Sequence, residues 1–411
     1  MSSVLPLEII AQIIDIVGEN NDTNLLKEIA LVSYSFHQMC SKHLFATVEL
    51  HDAVRLTRQP VASSKRGFVK LLKSRPGIVK YIRNLVYEVS QNEEDDDDGD
   101  LLSPILPNYL RTISCLNCLA IVGSKLDWNT LNSSLTSALL YLMHLPTINH
   151  IDLSFIQNFP LSSLTSVNLL RLDIYFLCRS NPRDDSKDTS EFVVDSELMP
   201  KLREFHTSDS AVLTRKLLHA KRQDGQPAFN FMGLREVSMN FEHFEDGRNI
   251  GYLLQNARLL EKLHLSVDLG WSLVNILSPS TCTLSLKVLD FTVPLFDESI
   301  SFPLGGICEV LEAMAGHNVL EALSFEVNVD GHETENFVGS IIQNVEKVLL
   351  KPGWSALRQV SFKISIACCL SSRNAELSET LQSLPDKYLS HLSKLESVAF
   401  SFSAFVVKCG L

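Results

Sequence analysis

One apolar pattern recurs along most of this chain and limits the folds open to it: apolar, two variable, apolar, variable, apolar. It reads Ile82-x-x-Leu85-x-Tyr87, Leu116-x-x-Leu119-x-Ile121, Ile148-x-x-Ile151-x-Leu153 and Leu169-x-x-Leu172-x-Ile174. It continues as Leu202-x-x-Phe205-x-Thr207, Leu234-x-x-Val237-x-Met239, Leu260-x-x-Leu263-x-Leu265 and Leu286-x-x-Leu289-x-Phe291. The last copies are Leu320-x-x-Leu323-x-Phe325, Leu357-x-x-Val360-x-Phe362 and Leu395-x-x-Val398-x-Phe400. Eleven copies at spacings of roughly 21 to 38 residues fall in the range of repeat architectures. Period-2 spacing puts the apolar side chains on one face of a short strand. Phe155, Phe176, Phe241, Val267, Val293, Val327, Ile364 and Phe402 extend that face to an eighth place.

Between the strands lie stretches with helical spacing. Examples are Leu131, Leu135, Leu139 and Leu142; Ile307, Val310, Leu311 and Met314; and Phe337, Ile341, Val345 and Val348. Residues 246–256 and 375–392 read the same way, with Pro385 expected to break the second. A strand then a helix, repeated without a Gly-rich phosphate turn, predicts a parallel curved stack whose units bury their faces against their neighbours. A doubly wound domain uses the same alternation, but eleven units exceed an ordinary sheet. On these motifs residues 80–411 resemble leucine-rich repeats in a degenerate form, since only Asn328 supplies the family's Asn at the ninth place.

The first fifty residues follow another pattern. Leu5-Pro6-Leu7-Glu8-Ile9-Ile10 opens a helix: Pro6 suits the first turn, and Glu8 suits the positive end of the helix dipole. Ile9, Ile13 and Ile16 form one stripe, and Ile10, Ile14 and Val17 a second, displaced by about 100°. Such a helix needs cover on more than one side, which a fifty-residue unit cannot supply internally, so a partner surface is expected. After the polar break 18–24 come two more helical pieces, Leu25 to Phe36 and Gln38 to Phe45, then a first strand, Ala46 to Leu50.

The order Leu-Pro-x-Glu-Ile, Ile-Ile-x-x-Ile-Ile, Ala-Leu-Val-Ser-x-x-Phe and Leu-Phe resembles an F-box over residues 3–48. Phe68 to Pro76, leading into the first repeat strand, is similar to the fungal version of such proteins. The expected fold class is therefore an α/β solenoid. It comprises a three-helix F-box (1–48), a helical linker (49–80) and irregular leucine-rich-repeat-like strand–helix units (81–411) forming a curved parallel sheet.

The resemblance implies a substrate-recognition subunit of an SCF-type ubiquitin ligase. The F-box would bind a Skp1-type adaptor and, through it, a cullin–RING ligase. Leu5, Pro6, Ile9, Ile10, Ile13, Leu31, Val32 and Phe36 are the expected adaptor interface and its support. The solenoid would hold a protein substrate. A non-catalytic scaffold whose first helices only cap the array is the alternative.

The substrate face follows from strand geometry, because the fifth and seventh places of each repeat alternate with the buried ones. Those places carry Asp152, Asp173, Tyr175, His206, Asn240, His264, Asp290, Glu326 and Lys363, a mixed polar column suited to a protein or peptide.

Catalytic patterns are weak. Cys115-x-x-Cys118 has no second pair of matching spacing and reads as two incidental thiols. Cys368 and Cys369 are adjacent and point to opposite faces of a strand. Gly331-His332-Glu333-Thr334-Glu335 lacks the second His of a zinc protease, and no Lys-Ser/Thr follows Gly305-Gly306. No enzyme activity, cofactor or metal is expected.

Charge and cysteine content bound the partners. The 411 residues carry 36 basic and 48 acidic side chains, a formal charge of −12, with seven acids between Glu93 and Asp100. That sign disfavours nucleic acid or an anionic membrane as partner. The acidic run and the hydrophilic stretch 181–188 read as solvated loops. Nine scattered cysteines do not make a disulfide framework, the opening MSSVLPLEII lacks a signal peptide's basic start, and no run is long enough to span a membrane. The expected setting is a reducing one, cytoplasmic and/or nuclear, with the Asn21 and Asn132 sequons unused.

Overall fold

A computed structural model of the chain describes residues 5–51, 64–89, 105–165, 168–176, 193–194, 199–241, 244–267, 273, 277, 285–295, 303–330, 335–368 and 374–408. The fold is α/β with parallel strands, and it divides into two compact units: residues 1–200 with 222–228, and 201–221 with 229–411. The acidic run 93–100, residues 181–188, residues 331–334 and Cys369 lie outside the described residues.

The first unit begins with three helices: α1 (Leu7–Glu19), α2 (Thr23–Ala30) and α3 (Tyr34–Leu44). Each of the last two starts at a side-chain cap. Asp22 accepts from the Leu25 N–H at 3.0 Å, and Ser33 from the Phe36 N–H at 3.2 Å, satisfying donors that a helix start leaves open. Ile14, Leu26 and Cys40 make their small core, with Ile10, Val17, Ile29, Met39 and Leu44 packed around it. The stretch Leu25 to Phe36, expected as one helix, is interrupted at Leu31–Ser33. Ser33 competes for the backbone there as the cap of α3.

The unit continues with β1 (Thr47–Leu50), α4 (Lys65–Ser74), β2 (Asn84–Val89), α5 (Leu106–Leu110), β3 (Cys118–Asp127), α6 (Ser133–Met143), β4 (His150–Gln157) and β5 (Arg171–Tyr175). The five strands pair in parallel in chain order, and the row Val48, Leu85, Leu119, Ile151, Leu172 is in register. That row and the next, Leu50, Tyr87, Ile121, Leu153 and Ile174, are buried. Each such side chain contributes about 1.5–3 kcal/mol of transfer free energy, so the apolar repeat is also the core of the unit.

The second unit holds β6 (Glu204–Ser208), α7 (Ala211–Leu218), β7 (Glu236–Phe241), α8 (Phe244–Asn256), β8 (Lys262–Val267), β9 (Val288–Leu295), α9 (Pro303–Met314), β10 (Ala322–Asp330), α10 (Glu335–Leu349), β11 (Gln359–Cys368), α11 (Asn374–Tyr388) and β12 (Ala399–Lys408). Its seven strands are again parallel and in chain order, with the row Phe205, Val237, Leu263, Leu289, Leu323, Val360, Phe400. Phe291, Phe325 and Phe362 stack down the next row, with ring centroids 5.7 and 4.9 Å apart.

Several repeats enter their strands through the same hydrogen-bond device. One carbonyl accepts from two successive N–H groups of the following repeat. Arg83 accepts from Asn117 and Cys118, Asn117 from Asn149 and His150, and Arg203 from Arg235 and Glu236. Glu261 accepts from Lys287 and Val288, and Glu321 from Arg358 and Gln359. A shared acceptor satisfies two donors where the chain turns from loop to ladder.

Three expectations are corrected. The last repeat is registered two residues further along: Phe400, not Val398, stands opposite Val360. Helix α11 runs through Pro385 to Tyr388, because Leu381, Leu384 and Leu389 are all buried and the Leu389 N–H reaches the Pro385 carbonyl at 2.9 Å. Packing outweighs the lost N–H. Phe155 and Phe176 do not extend the buried face. Both adopt left-handed backbone (φ 58° and 51°) and are 41% exposed. Their rings stack with centroids 4.5 Å apart and planes nearly parallel. Asp209, at the same place after β6, is left-handed too (φ 50°). Such a turn costs roughly 1–2 kcal/mol for a residue with a Cβ, and it rotates the side chain away from the core.

Candidate functional site

The first candidate surface is on α1–α3. Helix α1 starts at Pro6, whose carbonyl accepts from the Ile9 and Ile10 N–H groups. Its two isoleucine stripes part company. Ile14 is 1% exposed and Ile10 and Val17 pack beside it, whereas Ile9, Ile13 and Ile16 face solvent, Ile13 at 46%. Leu5, Leu7, Leu25 and Tyr34 are exposed as well. The α2–α3 turn leaves Leu31 87% exposed, with Val32 also open. Pro6 is exposed, and Phe36 is half-buried on the first turn of α3. Nine large apolar side chains in solvent on three short helices exceed the scattered apolar exposure of an ordinary surface.

The second candidate surface is the outward strand face of the first unit. Register brings Cys118, His150 and Arg171 into one rung, Ala120, Asp152 and Asp173 into the next, and Val122, Ser154 and Tyr175 into the third. The face is less solvated than alternation implies, and Asp173 is 2% exposed. Asp173 Oδ2 lies 2.9 Å from His150 Nε2. The same carboxylate accepts from Arg171 Nε at 3.1 and 3.0 Å and from Arg171 Nη2 at 2.9 Å. The other His150 nitrogen, Nδ1, lies 3.2 Å from Cys118 Sγ.

Burial pulls the His150 imidazole down, but its bonds to Asp173 and Cys118 outweigh that and push it up to about 9. Asp152 is pushed up by burial, against the hydrogen bond from Ser154 at 3.0 Å. Tyr175 is pushed up to about 12 by burial and by the charges of Asp173 and Asp152.

In the second unit the outward columns are paired across strands. Lys363 Nζ reaches Glu326 Oε1 at 2.7 Å, and Asn240 Nδ2 donates to Ser208 Oγ at 3.2 Å. His264 Nε2 lies 3.4 Å from Thr292 Oγ1, and His206 Nε2 is 3.8 Å from Glu236 Oε1. Burial raises Asp290, with His264 opposing.

Of the expected substrate residues, Asp152, Asp173 and Tyr175 come together in the first unit. His206, Asn240, His264, Asp290, Glu326 and Lys363 belong to the second. The expected column omits His150 and Arg171, and Cys118 read as incidental. All three occupy the place two residues before the fifth, so carrying the period-2 alternation one step back finds them. Among the described residues no group of three or more His, Cys, Asp or Glu is arranged to hold a metal ion, and no helix is long and apolar enough to cross a membrane. No family model matches the chain, and no curated protein matches it either.

Proposed function

We propose that the chain is the substrate-recognition subunit of an SCF-type ubiquitin ligase, with α1–α3 as an F-box that docks a Skp1-type adaptor. The observation that carries this reading is the solvent exposure of Leu5, Ile9, Ile13, Leu31 and Val32 around a core of only Ile14, Leu26 and Cys40. A helical unit that served only to cap a repeat array would turn its apolar residues towards that array. Here the outer stripe of α1 and the α2–α3 turn are left for a second polypeptide to cover. The resemblance of residues 3–48 to an F-box names the adaptor class.

The leucine-rich-repeat-like strands would then hold a protein substrate on their outward polar face. The chain would act by proximity, raising the effective concentration of substrate lysines near an active site carried by another subunit. Residence in the cytoplasm or nucleus goes with that role.

The test is co-purification with a Skp1-type adaptor. Ile9→Asp combined with Ile13→Asp places two charges on the exposed stripe without touching Ile14. Adaptor recovery should be abolished while thermal unfolding of the free chain changes little. Unchanged recovery from the folded double variant rejects the reading.

A further inference from the structure

We propose that Cys118 is a nucleophilic thiol poised for covalent modification by soft carbon electrophiles, with His150 as its hydrogen-bond partner and Asp173 and Arg171 as the groups that position His150. The inference rests on the first unit alone and stands independently of the ligase reading.

The arrangement is a linear relay of three side chains from three adjacent strands. Cys118 opens β3, His150 opens β4, and the parallel register sets them side by side. Sγ lies 3.2 Å from Nδ1, and Nε2 lies 2.9 Å from the Asp173 carboxylate on β5. A thiol, an imidazole and a carboxylate joined in that order form the constellation that activates a sulfur nucleophile, because the carboxylate orients the ring and stabilises its protonated form. Asp173 is itself immobilised, being nearly fully buried and forked by the Arg171 guanidinium. The ring therefore presents a defined nitrogen to the sulfur.

Among the described residues, the other charged or titratable groups on this face are Asp152, which takes the Ser154 hydroxyl as its partner, Tyr175, and, on β2 and β1, Glu88 and Glu49, which His51 bridges. The imidazole holds its proton through neutral pH. Cys118 is partly exposed, so a small reagent can reach it.

Three other cysteines among the described residues differ in kind. Cys40 is buried in the helical core, and burial pushes its thiol up; Cys308 on α9 is partly exposed, and desolvation with the nearby Glu312 and Glu309 charges pushes its thiol up. Cys115 is partly exposed, and among the described residues its sulfur is paired with the Ser114 hydroxyl, at 3.7 Å, and with no imidazole.

In the reaction the thiol proton leaves to a solvent base, and an Sγ electron pair, stabilised by the protonated His150 imidazole 3.2 Å away, attacks the electrophilic carbon. With iodoacetamide a C–S bond forms, the C–I bond breaks and iodide leaves, so no oxidant or reductant is consumed. The product is a thioether on the strand face, beside Asp152 and Tyr175.

The test is a timed pulse of iodoacetamide on the native full-length chain at pH 7, read per cysteine by peptide mass spectrometry. Cys118 should be alkylated at least about tenfold faster than Cys115, with Cys40 unlabelled. His150→Gln should slow Cys118 about tenfold and leave Cys115 unchanged, an outcome that a purely structural His150 would not produce. If that variant opens the fold, reported by Cys40 labelling, the wild-type ratio decides alone. A Cys118 rate no greater than that of Cys115, or a Cys118 rate indifferent to His150→Gln in the folded protein, overturns the proposal.

Discussion

His150 and Asp173 meet at 2.9 Å across two adjacent parallel strands, with the carboxylate almost wholly buried and the imidazole 25% exposed. The pair binds a proton that the unfolded chain releases more readily. The imidazole is raised from 6.5 to about 9 in the folded state, so its stabilisation is fully present below pH 6.5 and is lost as pH rises through 9. After solvent screening of the partly exposed ring, the loss is on the order of 1–2 kcal/mol. Unfolding free energies from denaturant titration at pH 6 and pH 9.5 should differ by that amount in the native chain, and His150→Gln should remove that part of the difference.

The two faces of α1 differ in stability as they do in exposure. Ile14→Ala empties a site beside Leu26 and Cys40 and should cost about 2–4 kcal/mol. Ile13→Ala, at a position nearly half exposed, should cost less than about 1 kcal/mol. Limited proteolysis between α1 and α3 measures both. Equal sensitivity of the two variants would contradict the burial pattern.

Gly18 sits on α1 where a Cβ would fall 2.2 Å from Nδ1 and 2.3 Å from Cγ of His43. His43 cannot retreat freely, because its Nε2 is held 2.8 Å from Asp15 Oδ1. Gly→Ala inside a helix ordinarily gains about 0.5–1 kcal/mol. Here Gly18→Ala should instead destabilise the helical unit by about 1–3 kcal/mol, through the displaced imidazole. Thermal unfolding checks the sign.

In the second unit Glu346 is a buried backbone acceptor. Its Oε1 takes the N–H groups of His391 and Leu392, each at 3.0 Å, and so ties α10 to the segment after α11. Glu346→Ala should cost about 1–3 kcal/mol, because two donors lose their partner away from water. The exposed pair Lys351–Glu312, although shorter at 2.7 Å, should yield less than about 1 kcal/mol in a double-mutant cycle.

Much of the fold was legible because burial imposes a period. The row Leu85, Leu119, Ile151, Leu172 was readable in the apolar repeat, since a parallel sheet stacks equivalent residues at equal depth. The last repeat misled because Val398, Phe400 and Phe402 continue the alternation in both directions, and only pairing with Val360 selects the register. Phe155 and Phe176 misled because alternation carries no information on backbone handedness. The break at Leu31–Ser33 was written locally in Ser33, yet an apolar run hid it.

The candidate sites divide in the same way. Two isoleucine stripes were evident on α1, and the need for cover on more than one side followed from them. Which stripe faces the Leu26–Cys40 core and which faces solvent was decided when the three helices packed, because one small core can cover only one side. Asp173 was singled out from its place in the repeat, but its partners His150, Arg171 and Cys118 were not. A linear pattern orders residues along a strand, whereas hydrogen bonds between side chains run across strands, at distances that only the completed sheet sets. Short-range chemistry thus determined the elements, their parallel order and their buried rows. Long-range packing decided which surfaces stayed open and which charges were brought within bonding reach.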